Sequence, residues 1–252
     1  MFSSWRKRTK ADGAPTASDH LSSIRLSVVG CGDVFGTGGR LQTCFHGSAG
    51  GKKFLIDCGA TALTLWHRIG LSPNDVDTVL LSHLYGNHYS GLILWIMHGK
   101  YISGRTSALT IIGPEGTTER YLATAELMFP GSTSLYPPFD VNFAVYNEYQ
   151  ATLALAFSVK LFPVSHPSGA MSSAPRTEVV DCVIAFSGDT EWKDNLVACS
   201  NDSGIFICVF FGYRDKEHFH MSWGDIEQKL PQITAKKILL THPGEKIFAY
   251  VD

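Results

Sequence analysis

The sequence carries little net charge and no long apolar run, and these two absences limit what the chain can do. Its 252 residues include 21 Lys and Arg against 23 Asp and Glu, a formal net charge of −2. Without an overall basic field, broad electrostatic binding to nucleic acid or to a membrane surface is not implied. No apolar run is long enough to predict a membrane-spanning helix. With 44% hydrophobic and 17% charged residues, the chain is not a disordered type and can bury a sizeable core.

Sequence signals for secretion and for disulfides are also missing. The first 20 residues are basic and rich in small residues, and no apolar segment of a signal peptide follows them. We therefore expect a cytoplasmic protein with a flexible N-terminal tail over residues 1–22 and a single domain over residues 23–252. The six cysteines contain no CxxC pair and most lie in apolar stretches, which favours buried free thiols over disulfides.

Hydrophobic patterns predict two similar successions of strands and helices. Strands are expected within residues 24–30, 41–46, 52–59, 78–83, 107–116, 141–146, 152–164, 178–190, 205–211 and 236–242. Helices are expected within residues 60–70, 88–100, 117–129 and 222–230. Residues 165–176 are predicted as a polar loop. Each half runs through strands and a helix to a strand that ends in His, which predicts two similar α/β layers packed on each other.

Polar residues with metal-binding chemistry follow the ends of four predicted strands. These residues are His83 with His88, His166, Asp189 and His242. Side chains at the carboxyl ends of strands leave the core and converge, which is where α/β sheets build ligand sites. Imidazole and carboxylate suit zinc and similar divalent metals. The sequence therefore predicts a metal site at this edge.

Several motifs resemble one known superfamily. The segment LLSHLYGNHYSG (80–91) resembles the HxHxDH signature of the metallo-β-lactamase superfamily. Five further segments follow in the order and spacing of its RNase Z-like branch: GCGDVFGTGGRLQTCF (30–45), FLIDCGA (54–60), FPVSHPSG (162–169), FSGDTEW (186–192) and ILLTH (238–242). The resemblance covers about residues 24–250. It implies an α/β fold, the four-layered αβ/βα sandwich of that superfamily.

The resemblance also implies two metal ions side by side at the sheet edge, bridged by Asp189. One ion would be held by His83, residue 85 and His166, and the other by residue 87, His88 and His242. In such sites the metals lower the pKa of a water molecule, which attacks a phosphodiester or a carbonyl-type centre.

Three positions depart from the family pattern. Tyr85 replaces the second His of the signature, and a phenol with a pKa near 10 is an uncommon zinc ligand. Asn87 replaces the Asp; its amide can orient a catalytic water but cannot act as a carboxylate base. Val209 stands where the family often carries Glu.

The residues that are left predict one metal ion per chain, zinc or manganese, and make a second ion doubtful. Three protein ligands and a water suffice for a catalytic zinc. Two sets of ligands are open: His88, Asp189 and His242, with Asn87 as a further contact, or His83, His166 and Asp189. The sequence does not choose between them.

Supporting roles are predicted for three further features. His220, in HFHMS, matches a family His near the leaving group and is a candidate general acid. Asp57 matches a position that supports the metal-site loops from outside the ligand set. The glycine-rich segment 30–40 lacks the Lys-Ser/Thr ending of a P-loop, so we expect a loop that folds over the site.

Two functions remain open from the sequence. The first is a metal-dependent hydrolase, phosphodiesterase-like, acting on a small ester or a phosphodiester such as a cyclic nucleotide. The second is a catalytically impaired pseudoenzyme that binds a ligand or partner through the same pocket. We do not expect tRNA processing, because no long basic insertion is present and segment 130–140 lacks Lys and Arg. The resemblance allows a homodimer; the apolar helix at 92–97 could be interface, but we expect it in the core.

Overall fold

The computed structural model describes most of the chain after the N-terminal segment. The described residues are 24–49, 51–134, 138–146, 151–154, 157–179, 182–215 and 218–250. The predicted tail over residues 1–22 lies outside the described residues.

The described residues form two six-stranded sheets. The strands of the first sheet, in spatial order, are β1 (Arg25–Gly30), β2 (Cys44–Ala49), β3 (Lys52–Ile56), β4 (Thr78–Leu80), β5 (Leu109–Gly113) and β6 (Val141–Val145). The strands of the second sheet, in chain order, are β7 (Thr152–Ala154), β8 (Phe157–Pro163), β9 (Ser173–Val179), β10 (Cys182–Phe186), β11 (Ile205–Val209) and β12 (Ile238–Thr241).

Each sheet starts as an antiparallel meander and continues with parallel strands. Strands β1 to β3 pair antiparallel, and β3 to β6 pair parallel. Strands β7 to β10 pair antiparallel, and β10 to β12 pair parallel. Because β8 and β10 both run opposite to β9, they point the same way as β11 and β12. The chain therefore leaves β8, β10 and β12 at one edge of the second sheet.

Six short helices accompany the sheets in the described part of the chain. They are α1 (Ala62–Arg68), α2 (Gly86–Tyr89), α3 (Gly91–Tyr101), α4 (Thr117–Met128), α5 (Asn195–Ser200) and α6 (Trp223–Lys229). Single 3₁₀ turns cover Thr37–Gly39, Pro73–Asp75, Ser132–Ser134, Leu230–Gln232 and Glu245–Ala249. No described helix has both the length and the apolar character to cross a membrane.

Three apolar clusters give the order of the layers. The cluster between the two sheets joins residues of both, among them Phe45 of β2 and Phe186 of β10, whose ring centroids are 5.6 Å apart. A second cluster packs α1 and α3 on the first sheet through Trp66 and Trp95. A third packs α5 and α6 on the second sheet. The order helix, sheet, sheet, helix confirms the predicted αβ/βα sandwich and places the apolar helix α3 in the core.

Predicted elements differ from the structure in several places. The strand expected within 178–190 contains the end of β9 and all of β10, which pair antiparallel. The single strand expected over 152–164 is two antiparallel strands, β7 and β8, and the loop expected over 165–176 ends inside β9. Alternating polarity continues from one strand into the next, so the pattern alone does not show where one strand ends and its antiparallel neighbour begins. The helix expected over 88–100 is two helices, α2 and α3. They meet where Gly91 packs against the chain, since a Cβ there would lie 2.2 Å from the carbonyl oxygen of Gly59. Helix α5 has 6 residues, too few for a periodicity to predict it.

Candidate metal centre

Five imidazoles lie in a ring around the carboxylate of Asp189. In order around the ring they are His83, His88, His242, His220 and His166, and neighbouring ring centroids are 4.2 to 5.7 Å apart. The Nε2 atoms of His88, His220, His242 and His83 lie 3.2, 3.4, 3.4 and 3.9 Å from Asp189 Oδ2. The structure thus brings all five predicted ligands together and adds His220. We call this arrangement the imidazole ring.

The position of Asp189 depends on the glycine before it. Gly188 has φ +59°, and a Cβ there would lie 2.7 Å from the carbonyl oxygen of Ser173, so this turn requires glycine. Asp189 follows β10 and is almost fully buried. Its Oδ1 has no hydrogen-bond partner among the described residues. This turn therefore places the carboxylate of Asp189 at the centre of the ring.

Asp57 fixes the two deepest histidines through one shared network. Asp57 Oδ2 lies 2.6 Å from His88 Nδ1 and accepts a hydrogen bond of 2.8 Å from Ser82 Oγ. Ser82 Oγ in turn lies 2.9 Å from His83 Nδ1. Because the hydroxyl proton goes to Asp57, the Ser82 oxygen must accept from His83. Both histidines therefore carry a proton on Nδ1, and this network leaves their Nε2 atoms to face the ring.

The loop around Phe219 fixes the other side of the ring. The Nδ1 atom of His166 lies 3.1 Å from the carbonyl oxygen of Phe219, and that of His220 lies 3.2 Å from the carbonyl oxygen of His218. A carbonyl can only accept, so both histidines donate from Nδ1. Their Nε2 atoms are again the ones left for the ring.

His242 enters the ring from the end of β12. Its backbone N–H donates to the carbonyl oxygen of Cys31 at 2.9 Å, and its φ of +63° is rare for a residue other than glycine. Neither ring nitrogen has a hydrogen-bond partner among the described residues. A rare backbone conformation at a residue whose buried imidazole has no hydrogen-bond partner is typical of a functional position.

Burial and mutual contact shift the pKa values in the ring. Burial lowers the pKa of His83 well below its usual range and lowers that of His242 to about 4. Burial also acts against protonation of His88, but the carboxylates of Asp189 and Asp57 outweigh it and raise its pKa to about 10. Burial favours protonation of Asp189, yet the imidazoles of His242 and His88 hold its pKa well below the usual range. At neutral pH the centre of the ring is therefore an ionised carboxylate.

The atoms of the ring fit a divalent metal ion. The Nε2 atoms of His83, His166 and His242 are buried and have no hydrogen-bond partner among the described residues, and the Nε2 atom of His88 lies 3.2 Å from Asp189 Oδ2. A buried acceptor without a donor costs about 1–3 kcal/mol, and a bound cation removes that cost. Imidazole nitrogen and carboxylate oxygen are ligands that zinc and manganese accept.

The structure groups these atoms differently from either set that the sequence left open. Two groups in the described chain have ligand atoms within 4.8 Å of one another: His83 with His88 and Asp189, and His166 with His220 and Asp189. The sequence had paired His88 with His242, and His83 with His166. The second group forms because the turn at Phe219 brings His220 beside His166, a contact that no spacing in the sequence reveals.

The two substituted positions of the HxHxDH signature, Tyr85 and Asn87, line the cleft above the ring. The Tyr85 hydroxyl donates a hydrogen bond to the carbonyl oxygen of Pro167. Its aromatic ring stands edge-on to His83 and His166, with centroids 5.7 and 5.0 Å away, and 38% of the residue is exposed. The phenol oxygen is therefore directed at the backbone. Asn87 is buried in α2 and lines the cleft above the ring.

A cleft of about 240 Å³ opens above the ring. Its apolar walls include Val34, Phe35, Tyr85 and Phe211, and none of the described residues that line it is Lys or Arg. Phe35 belongs to the glycine-rich loop. Asp33 holds this loop in place by accepting hydrogen bonds from the backbone N–H groups of Phe35 and Thr37 at 3.2 and 2.9 Å. The expectation of a loop folded over the site agrees with this geometry.

Sequence reasoning missed three groups that shape the ring. They are the Ser82 hydroxyl, the Phe219 carbonyl and the Glu191 carboxylate, which accepts from the backbone N–H of Phe219 at 3.2 Å. Ser82 directly precedes His83 and Glu191 lies two residues after Asp189, so their places in the motifs were a usable signal. The carbonyl of Phe219 belongs to the backbone, so no residue identity in the sequence indicates its role.

The layered fold and the imidazole ring define a protein of the metallo-β-lactamase fold. The crystal structure of human tRNase Z, short form, shares this fold: the TM-score is 0.74 at 19% identity, covering 89% of this chain and 94% of that one. The sequence profile of the family described as Anti-Pycsar protein Apyc1 matches residues 24–251. The chain belongs to that family.

Two curated relatives show how far the sequence likeness extends. Anti-Pycsar protein Apyc1 of Saccharibacillus brassicae is 29% identical over 190 residues, which are 72% of this chain and 74% of the relative. Ribonuclease Z of Clostridium acetobutylicum is 36% identical over 99 residues, which are 38% of this chain and 31% of the relative. The match thus spans less than a third of that ribonuclease.

Proposed function

We propose that this chain is a metal-dependent hydrolase of small phosphodiesters, with a cyclic nucleotide as the preferred substrate class. The observation that carries the proposal is the convergence of buried Nε2 atoms on an ionised Asp189 that lines a cleft; three of these atoms, those of His83, His166 and His242, have no hydrogen-bond partner in the described chain. Such a set of atoms is unfavourable without a cation and suited to one.

The residues that would hold zinc or manganese are His83, His88, His166, Asp189 and His242. A divalent metal, when bound, supplies an activated water molecule and neutralises charge on the phosphate. Asp57 and Ser82 hold His88 and His83 in the tautomer that a ligand needs.

Asn87 is the chain's own candidate for orienting the attacking water. It is buried, lines the cleft and carries an amide that donates or accepts a hydrogen bond. It cannot take up the proton of the water as a carboxylate would. Its role is therefore positional, and we expect a slower reaction than an Asp at this place would give.

The walls of the cleft favour a small substrate with an apolar face. Phe35 and Phe211 offer flat aromatic surface beside the ring, which suits a nucleobase. A long polyanion would need Lys or Arg along its path, and the described lining has neither. This supports a small phosphodiester over tRNA.

The proposed reaction opens one ester bond. An oxygen of water forms a bond to phosphorus and one phosphorus–oxygen ester bond breaks; the water gives up a proton, and the released alkoxide takes up one proton in balance. The product of a cyclic phosphodiester is then a phosphomonoester.

A chromogenic phosphodiester tests the proposal. Protein loaded with zinc or manganese should hydrolyse bis(p-nitrophenyl) phosphate, and His88→Ala should reduce the rate by at least about 100-fold, because substituting even the outer partners of a metal site costs 10–100-fold. His67→Ala is the matched control, since His67 is an exposed histidine on α1. Equal rates for wild type and His88→Ala would reject the proposal.

A binding protein without turnover is the second candidate. Two observations favour it. The Tyr85 hydroxyl donates a hydrogen bond to the Pro167 carbonyl oxygen, and position 87 carries an amide where the family has a carboxylate. The two candidates differ in one result. A pseudoenzyme would bind a cyclic nucleotide in calorimetry and return it unchanged, with or without metal.

A further inference from the structure

Tyr85 removes one ligand from the family's pattern, and the structure places another imidazole in the ring. His220 lies between His242 and His166, with ring centroids 5.4 and 5.1 Å away. Its side chain is 19% exposed, so it lies on a part of the ring that solvent reaches. The family pattern gives this His a role near the leaving group, outside the ligand set.

The orientation of His220 is that of a ligand. Its Nδ1 donates a hydrogen bond to the carbonyl oxygen of His218, so Nδ1 carries a proton. Its Nε2 lies within hydrogen-bonding distance of Asp189 Oδ2, at 3.4 Å, and belongs to the group, with His166 and Asp189, whose ligand atoms lie within 4.8 Å of one another. Asp189 Oδ1 and His166 Nε2 in this group are buried and have no hydrogen-bond partner in the described chain.

The turn that carries His220 is held in place from two sides. Phe219 has φ +64°, a left-handed conformation that a bulky residue seldom adopts. Its N–H donates to Glu191 Oε1 at 3.2 Å, and its carbonyl oxygen lies 3.1 Å from His166 Nδ1. One strained turn therefore sets the positions of His166 and His220 together, as a built site requires.

We propose that His220 is a metal ligand that forms, with His166 and Asp189, a second three-residue metal set in place of the ligand lost at Tyr85. This assignment replaces the role of His220 as a general acid, because a nitrogen that binds a metal has no proton to give. It raises the expected metal content from one to two ions per chain. It rests on the proposed function only in requiring that the ring binds metal.

Metal content tests the assignment directly. Wild type and variants are loaded with zinc, passed over a desalting column and measured by inductively coupled plasma mass spectrometry. Wild type should hold two ions per chain and His220→Ala one fewer than wild type. His218→Ala is the matched control from the same loop; it leaves the backbone carbonyl that orients His220 and should keep the wild-type content.

Two further measurements separate a lost ligand from a damaged fold. The remaining ion and an unchanged circular dichroism spectrum would show that His220→Ala is folded. Tyr85→His added to His220→Ala should restore the lost ion, because position 85 borders both His83 and His166. Equal metal content in wild type and His220→Ala would overturn the assignment while the proposed function stands. A wild type that binds no metal would overturn both.

Discussion

Nδ1 of His88 lies 2.6 Å from Oδ2 of Asp57, and both side chains are fully buried. This contact links the strand end after β3 to the signature helix α2 and decides which nitrogen of His88 faces the imidazole ring. The site therefore depends on a carboxylate that is not a member of the ring.

Asp57→Asn tests that dependence. An amide can donate to His88 Nδ1, which would shift the imidazole proton to Nε2 and block it as a ligand. We expect zinc affinity to fall by about 10–100-fold. Competition with a chromogenic chelator measures the affinity. Asp75→Asn, which breaks an exposed contact with Lys53, is the control. Unchanged affinity in Asp57→Asn would show that the tautomer does not matter.

Arg105 should be a large contributor to stability without touching the site. Its guanidinium is buried and donates to four carbonyl oxygens, those of Pro73, Val76, Ser107 and Ala108. Arg105→Met leaves these acceptors unpaired, and each unsatisfied buried group costs about 1–3 kcal/mol. We expect a loss of at least about 2 kcal/mol in the free energy of unfolding in urea. Arg214→Met removes an exposed pair with Glu227 and should cost under about 1 kcal/mol. Similar losses in both variants would contradict this account.

The metal-free chain should be most stable near pH 6.5. His83 and His242 have folded pKa values below their unfolded value of about 6.5, so unfolding takes up protons and stability falls as pH drops below 6.5. His88 has a folded pKa of about 10, so its contribution is full below pH 6.5 and is lost as pH rises toward 10. Urea unfolding of chelator-treated protein at pH 5, 6.5 and 9 measures the loss of stability on both sides of pH 6.5. His242→Asn should reduce the loss between pH 6.5 and pH 5. A stability that rises steadily from pH 5 to 9 would contradict the pKa shifts of these histidines.

Thiol labelling should distinguish two classes of cysteine. All six cysteines are free; Cys31 and Cys182 are half-buried and Cys44, Cys58, Cys199 and Cys208 are buried. Burial raises the pKa of Cys199 to about 12 and raises those of the other three buried thiols as well. Raised pKa values keep these thiols protonated, so going from pH 7 to pH 9 should not make them reactive. At most two thiols should react with Ellman's reagent in native protein and all six in denaturant. Fast reaction of three or more in the native state would disprove this.

The sequence predicted the layers of the fold and the location of the site because both follow from local patterns. Apolar strands end in His83, His166, Asp189 and His242, and parallel strands bring such ends to one edge. The reversals before β8 and β10 were missed, since alternation looks the same on either side of a turn. The place of His220 in the ring was also missed. It depends on the backbone of Phe219, whose carbonyl and φ angle leave no trace in residue identity.

Turnover of a cyclic nucleotide followed by phosphorus NMR tests the central claim most directly. Metal-loaded wild type should convert the cyclic phosphodiester signal into that of a phosphomonoester, and neither chelator-treated wild type nor Asp189→Asn should do so. A metal-loaded wild type that leaves the cyclic phosphodiester signal unchanged would contradict the claim that this chain is a phosphodiesterase.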